Sequence, residues 1–171
     1  MQSKVKGVVT FLGAGSFGTS LAIHLARNHY HVHLWSRELE IVEGINTQHH
    51  NPKYLQNIKL SERIEAFSDL KNSKALSDND MIVFALPTQV LRQVLQGIKG
   101  FFPKDKLLVS VAKGIEIKTE CFPSQIIVEE LGPELTKSLA ILSGPSFAIE
   151  VAEGQPTGIA VASTNSLAAK K

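Results

Sequence analysis

A glycine-rich turn near the start of the chain constrains its fold more than any other feature. Gly13, Gly15 and Gly18 have the spacing GxGxxG. An apolar run at residues 8–12 precedes them, and hydrophobic residues at helical spacing follow. With a second apolar run at residues 31–36, this order predicts a buried strand, a sharp turn, a helix and a second strand.

Each glycine of this turn has its own predicted role. Gly13 makes the tight turn, Gly15 lets the backbone approach a pyrophosphate, and Gly18 lets the helix lie close to the strand. The N–H groups and the macrodipole at a helix N-terminus favour an anion there without a lysine. The turn therefore predicts a dinucleotide site, and the alternative is a tight turn with a structural role only.

Apolar runs alternate with amphipathic segments along the rest of the chain. This alternation predicts an α/β fold of the Rossmann type, doubly wound, with a mainly parallel sheet and helices on both faces. Ligands of such folds bind at the carboxyl ends of the strands. The segment from 46 to 60 has no clear period and predicts a surface loop. The predicted strands are residues 7–12, 31–36, 62–67, 80–86, 106–112, 138–142 and 157–162.

The composition is that of a single soluble domain covering residues 1–171. Apolar residues make up 43% of the chain, charged residues make up 20%, and the net charge is +2. Such a small net charge gives no strong electrostatic attraction to nucleic acid or to a membrane. No apolar stretch approaches the roughly 20 residues of a membrane-spanning helix. Cys121 is the single cysteine, so we expect a buried, inert thiol and a cytoplasmic location. The histidines lack the spacing of metal ligands. The sequence leaves open whether the chain forms a homo-oligomer.

The end of the second predicted strand bears on the choice of cofactor. A site for NAD places an acidic residue about 20 residues after the first glycine, where it binds the ribose hydroxyls. This chain has Ser36 and Arg37 there, followed by Glu38. The Arg37 guanidinium suits the 2′-phosphate of NADP, although it could also be a solvated surface charge. Glu38 either reaches a ribose or starts the next helix. The sequence therefore leaves the choice between NAD and NADP open.

Two further strand ends carry candidate ligand-binding residues. Lys113 follows the run at 106–112 and offers a compact charge to a phosphate or a carbonyl oxygen, unless it is an ordinary loop lysine. Gly144 and Ser146 precede a predicted helix, where they either bind an anion or only cap the helix. Thr88, after Pro87, is expected to be the N-cap of the helix that follows the fourth strand.

Several sequence blocks together resemble a known family, in the expected order and over nearly the whole chain. The chain is similar to the soluble NAD(P)-dependent glycerol-3-phosphate dehydrogenases. This resemblance implies the reversible reduction of dihydroxyacetone phosphate to sn-glycerol 3-phosphate, which feeds phospholipid synthesis. The blocks are GAGSFGTSLA, LWSR, NPKYL, LPTQ, VAKGIE and LSGPSFA.

The resemblance also implies roles for individual residues of these blocks. Lys113 would contact both the cofactor and the substrate, and Gly144 and Ser146 would bind the substrate. The further cofactor contacts that it implies are Ser16, Phe17, Arg37, Tyr54 and Ala148.

The chain departs from the family pattern in two places. Asn28 and His29 stand where relatives often have glycine after the first helix, and both residues tolerate a left-handed cap. The second, helical domain of the family, with its proton-transfer lysine, is absent from these 171 residues. We therefore expect an N-terminal dinucleotide-binding domain that does not turn over alone. The alternatives are a non-catalytic NAD(P)-binding module and another two-domain, hydroxyacid-type dehydrogenase.

Overall fold

A computed structural model describes residues 4–71 and 74–170 and places seven strands in one sheet. The strands are β1 (Val8–Leu12), β2 (His31–Trp35), β3 (Ile64–Phe67), β4 (Met81–Phe84), β5 (Leu107–Ser110), β6 (Leu139–Ser143) and β7 (Ala160–Ser163). The helices are α1 (Ser16–Arg27), α2 (Leu39–Gln48), α3 (Thr88–Ile98), α4 (Pro123–Leu131), α5 (Ala148–Glu153) and α6 (Ser166–Lys170). Short 3-10 turns cover Lys74–Leu76 and Pro133–Lys137.

The sheet has the doubly wound order that the sequence predicts. Its strand order is β3-β2-β1-β4-β5-β6-β7, and every pair is parallel except β6 and β7. Leu12 is in register with Trp35 on one side and with Phe84 on the other, so β1, β2 and β4 end at the same edge. The order of the strands reverses after β3, when the chain crosses back and places β4 beside β1. The switch point between β1 and β4 is where such folds bind ligands.

The core has two layers because neighbouring residues of a strand point to opposite faces of the sheet. Phe11 packs with α1 and α2 on one face, whereas Leu12 packs with α3 and α4 on the other. Both side chains are at most 1% exposed. All seven predicted strands are present; five lie within their predicted ranges, whereas β6 and β7 each end one residue later than predicted. The continuous apolar character of the central strands follows from burial on both faces, while β7 at the edge of the sheet is mostly exposed.

The segment after α2 differs from the surface loop that the sequence predicts. Its first residues still belong to α2, which ends at Gln48. Asn51 is fully buried and Leu60 is 3% exposed, so the prediction is wrong for these residues. A side chain of the core anchors the loop at each end, which periodicity alone does not reveal.

Two smaller predictions concern single residues. His29 has φ +70° just after α1, as expected for a left-handed cap, whereas Asn28 has φ −89°. Cys121 is only half-buried, so the expectation of a buried thiol is wrong. Its Sγ lies 3.6 Å from the Thr119 carbonyl oxygen and 3.6 Å from Glu129 Oε1.

No helix within residues 4–71 and 74–170 combines the length and the apolar character that a membrane crossing requires.

Candidate functional site

The turn between β1 and α1 needs glycine at two positions for steric reasons. Gly13 has φ +123°, and a Cβ there would lie 2.3 Å from the carbonyl oxygen of Ala85. A Cβ on Gly18 would lie 2.2 Å from the carbonyl oxygen of Gly13. The turn therefore lies against the end of β4, and α1 lies against the turn.

Gly15 differs from its two neighbours because a Cβ there would meet no atom within 4 Å. It is the N-cap of α1 with φ −73°, a conformation that any residue adopts. No side chain in the described part of the chain caps α1, and its first turn holds no acidic residue. The space beside Gly15 thus faces N–H groups that carry the positive end of the helix dipole.

A cleft of about 430 Å³ opens at this edge of the sheet. The structure brings together there four of the predicted cofactor positions: Gly13, Gly15, Arg37 and Tyr54. The opposite wall is supplied by α3 and the segment before it, and sequence reasoning missed the residues of α3 itself. The periodic apolar residues of that helix were the available signal. The residues of this wall are Leu86, Pro87, Val90, Gln93 and Val94.

The end of β2 places three polar side chains along the cleft. Ser36 is 7% exposed, and its Oγ accepts the Glu38 N–H at 3.1 Å. Arg37 is exposed at the rim of the cleft, and no carboxylate of the described residues forms an ion pair with it. Glu38 instead forms an ion pair with Lys53, and the hydrogen bond from Lys53 to this carboxylate raises the pKa of the lysine.

Trp35, the last residue of β2, is 8% exposed and packs in the core. Its Nε1 donates to the Ser68 carbonyl oxygen at 2.9 Å.

Asn51 connects the loop after α2 to the glycine turn, and sequence reasoning missed it. Its Nδ2 donates to the Ala14 carbonyl oxygen and to Thr19 Oγ1, both at 3.0 Å. Its Oδ1 accepts the N–H groups of Lys53 and Tyr54, both at 3.1 Å. The NPKYL block contained the signal, since the buried asparagine at its start fixes the backbone of Lys53 and of Tyr54, which lines the cleft.

Lys113 lies on the loop after β5, outside the residues that line the cleft. Its Nζ is 3.3 Å from the carbonyl oxygen of Gly144 and 5.6 Å from the centre of the Phe17 ring. The structure therefore brings together the first turn of α1, the end of β5 and the end of β6. A cation over an aromatic ring at an exposed site contributes only about 0.5–1 kcal/mol, so Lys113 keeps its charge available to a ligand.

The backbone of the Lys113 loop is held by the first turn of α3. Thr88 Oγ1 donates to the Lys113 carbonyl oxygen at 2.7 Å. Gln89 donates through Nε2 to the Ile115 carbonyl oxygen at 2.8 Å and accepts the Ile117 N–H at 3.1 Å. Thr88 is the first residue of α3 and does not cap it, so the predicted N-cap is wrong. Pro87 takes the N-cap position, and the threonine hydroxyl is used to hold the Lys113 loop.

Arg92, one turn further along α3, adds ion pairs to the contact between this helix and the Lys113 loop. Its Nε lies 2.9 Å from Oε2 of Glu116, and its Nη1 lies 2.8 Å from Oε1 of Glu130. The hydrogen bond from Thr119 and the Arg92 guanidinium hold the pKa of Glu116 below its ordinary value. The hydrogen bonds that the guanidinium donates to these carboxylates raise the pKa of Arg92 in turn. This cluster ties the loop to α3 and α4.

The segment after β6 holds the last predicted positions. A Cβ on Gly144 would lie 2.5 Å from the Gly158 carbonyl oxygen, so glycine is required where the chain passes close to itself. Ser146 donates its N–H to the Gly144 carbonyl oxygen at 3.0 Å, and Ala148 begins the short helix α5. Both residues are half-buried and lie outside the residues that line the cleft. Ser16 is exposed in the first turn of α1.

The family model and the related sequences that match this chain point to the same protein family. The model of the NAD-dependent glycerol-3-phosphate dehydrogenase N-terminus matches residues 8–169. A glycerol-3-phosphate dehydrogenase (NAD(P)+) of Myxococcus xanthus is 43% identical over 152 residues, which are 89% of this chain and 45% of that protein. The same enzyme of Clostridium acetobutylicum is 42% identical over 159 residues, 93% of this chain and 46% of that protein.

Solved structures agree with the sequence comparisons. The crystal structure of glycerol-3-phosphate dehydrogenase from Coxiella burnetii superposes with a TM-score of 0.85 at 32% identity, covering 96% of this chain and 49% of that one. The chain spans a little under half the length of the curated relatives that it matches. With a glycine turn, a cleft and strand ends arranged as described, the chain belongs to the family of the NAD-dependent glycerol-3-phosphate dehydrogenase N-terminus.

Proposed function

We propose that residues 1–171 are the dinucleotide-binding domain of a cytoplasmic NAD(P)-dependent glycerol-3-phosphate dehydrogenase that supplies phospholipid synthesis. The reaction transfers a hydride from NAD(P)H to C2 of dihydroxyacetone phosphate and a proton to its oxygen, giving sn-glycerol 3-phosphate. The open space beside Gly15, at the uncapped N-terminus of α1, is the observation that carries this proposal. A side chain there would fill the place of a pyrophosphate.

The lining of the cleft suits the adenosine end of a dinucleotide. The apolar wall of Pro87, Val90 and Val94 suits the flat face of an adenine ring. Arg37 and Tyr54 stand at the rim, where the ribose of the adenosine would lie. When bound, the nicotinamide supplies the hydride, and the chain supplies position and charge.

Lys113 is the residue that we assign to the substrate within this chain. Its ammonium lies beside Phe17 and the Gly144 carbonyl, at the carboxyl ends of β5 and β6. A compact positive charge held there would stabilise the negative charge that develops on the substrate oxygen. Gly144 and Ser146 would line the same end of the site, and Ser16, Phe17 and Ala148 would contact the cofactor. In this proposal the main proton-transfer lysine belongs to the helical domain of the family, outside these residues.

A second candidate function is a non-catalytic module that binds NAD(P). The glycine turn and the cleft support it as well, because a binding module needs only these parts of the site. The match of the family model over residues 8–169, which includes the substrate-type blocks around Lys113 and Gly144, favours the dehydrogenase.

One experiment compares the 171-residue chain with the same chain extended through the full reading frame. NADH binding is followed by fluorescence and turnover by NADH oxidation with dihydroxyacetone phosphate. We expect both proteins to bind NADH and only the extended one to turn over, because a placed proton-transfer group contributes about 10²- to 10⁴-fold. Absence of binding by the short chain would contradict the dinucleotide site. Equal turnover would contradict the assignment of the proton-transfer lysine.

A further inference from the structure

A pair of opposite charges stands beside Arg37 at the rim of the cleft. Glu38 lines the cleft, and its carboxylate is engaged by the ammonium of Lys53. The two side chains are 35% and 42% exposed, so solvent reaches both. The lysine comes from the loop after α2, and the glutamate from the residue just before α2.

The charge at this rim decides which ribose the cleft accepts. A free carboxylate binds the 2′- and 3′-hydroxyls of NAD and repels the 2′-phosphate of NADP. Ser36, at the end of β2, has no charge, so Glu38 is the carboxylate that could play this part. Its pairing with Lys53 withdraws it from that role and leaves Arg37 as the excess charge.

We propose that Lys53 is a specificity-determining residue, which admits the 2′-phosphate of NADP by neutralising Glu38. This inference rests on the proposed dinucleotide site and goes beyond it, because it assigns the choice of cofactor to an ion pair between two separate segments. Arg37 supplies the attraction for the phosphate, and Lys53 removes the repulsion.

The backbone of Lys53 is fixed, which distinguishes this pair from an ordinary surface ion pair. The Lys53 N–H donates to Asn51 Oδ1, and the same asparagine is bonded to the Ala14 carbonyl oxygen within the glycine turn. Asn51 is fully buried. The position of Lys53 is therefore set by the turn that would hold the pyrophosphate, so the ion pair and the cofactor share one frame.

Counting charges orders the variants by their preference for NADPH. The wild-type rim has two cations, Arg37 and Lys53, and one anion, Glu38. Lys53→Met leaves a free carboxylate beside Arg37, Glu38→Gln leaves two cations, and the double variant again leaves one excess positive charge. The expected order of NADPH preference is Glu38→Gln highest, then wild type and the double variant together, then Lys53→Met.

The test measures dissociation constants for NADPH and NADH by titration calorimetry at low salt, using the 171-residue chain. For Lys53→Met we expect the ratio of the NADH constant to the NADPH constant to fall about fivefold, the size of effect that one exposed charge pair produces. In the double variant the ratio should return to within about twofold of wild type. Lys59→Met, which removes an exposed lysine from the same loop, is the matched control and should leave the ratio unchanged.

The outcomes separate this inference from the proposed function. If wild type binds neither cofactor, the dinucleotide site itself is contradicted. If wild type binds both and Lys53→Met leaves the ratio unchanged, the inference alone is overturned. It is also overturned if the double variant keeps the low ratio of Lys53→Met, because Lys53 would then act without Glu38. Melting temperatures of all variants exclude a change of fold as the cause.

Discussion

Substitutions at Gly15 and Gly18 should separate the binding role of the turn from its structural role. Both glycines belong to the same motif and stand three positions apart in the sequence. A Cβ on Gly15 meets nothing within 4 Å, whereas a Cβ on Gly18 would lie 2.2 Å from a backbone oxygen. Gly15→Val should therefore lose the dinucleotide and keep the fold, and Gly18→Ala should lose stability.

The magnitude for Gly15→Val follows from its backbone and its surroundings. Its extended φ and ψ suit valine, so the losses at the N-cap and the gain from a stiffer unfolded chain nearly cancel, within about 1 kcal/mol. That corresponds to a change in Tm of at most about 4 °C for a chain of this size. Displacing a pyrophosphate from the helix N-terminus forfeits at least one charge-assisted hydrogen bond, about 1.5–3 kcal/mol, which weakens NADH binding about ten- to a hundredfold.

The magnitude for Gly18→Ala follows from a collision with backbone that has little room to move. Overpacking costs typically about 1–3 kcal/mol, and a carbonyl oxygen as the obstacle places this variant near the upper end. We expect Tm to fall by about 6–12 °C.

The assay is a thermal melt of each variant together with an NADH titration by fluorescence at a temperature where all are folded. Gly97→Val is the control, because a Cβ there also meets nothing within 4 Å and the residue lies in the last turn of α3, outside the residues that line the cleft. It should change neither quantity. Unchanged NADH affinity in Gly15→Val would refute the reasoning, since the open space would then have no ligand to receive. An unchanged melting temperature in Gly18→Ala would refute the steric argument.

Three further substitutions test the charged residues. Arg37→Asp should weaken NADPH binding about ten- to a hundredfold more than NADH binding, as a lost charge-assisted hydrogen bond implies, and calorimetry showing equal losses would remove Arg37 from recognition of the phosphate. Lys113→Ala in the extended enzyme should keep its Tm and lose most of its activity with dihydroxyacetone phosphate, because its side chain is exposed; full activity would contradict its assignment. The pKa of Glu116 is lowered in the folded chain, so its contribution to stability is present above the ordinary value of 4.5 and is lost as the pH falls through the folded value. Urea unfolding at pH 7 and pH 4 should therefore show a smaller loss of stability for Arg92→Met than for wild type, and equal losses would contradict the role of this ion pair.

The fold could be predicted well because a strand buried on both faces of a sheet is a continuous apolar run in the sequence. The strand before Ala85 is continuous in apolar residues, and helical spacing follows most strand ends. The GxGxxG turn was also predictable, because the steric needs of Gly13 and Gly18 arise from elements adjacent in the motif and in the sheet.

Contacts between segments that are distant in the sequence have no such local pattern. Thr88 was predicted as a cap because a hydroxyl at a helix start usually serves that purpose, yet its acceptor is the carbonyl of Lys113, 25 residues away. Asn51 was assigned to a surface loop because its segment has no clear hydrophobic period, although its partner Ala14 lies 37 residues earlier. The identity of a polar residue indicates that it needs a partner, but only the packing of the chain decides which one.

The buried side chains of Asn51 and Thr88 explain how two exposed lysines can be placed accurately. Lys53 and Lys113 are both exposed, and a free lysine loses up to about 2 kcal/mol of conformational entropy when a ligand fixes it. In each case a neutral, buried side chain already holds the backbone: Asn51 accepts the N–H of Lys53, and Thr88 donates to the carbonyl of Lys113. The ordering of the backbone is thus completed during folding, and a ligand has only the lysine stem to immobilise. Neutral anchors do this without desolvating a charge, which is why the charged groups themselves can stay in contact with water.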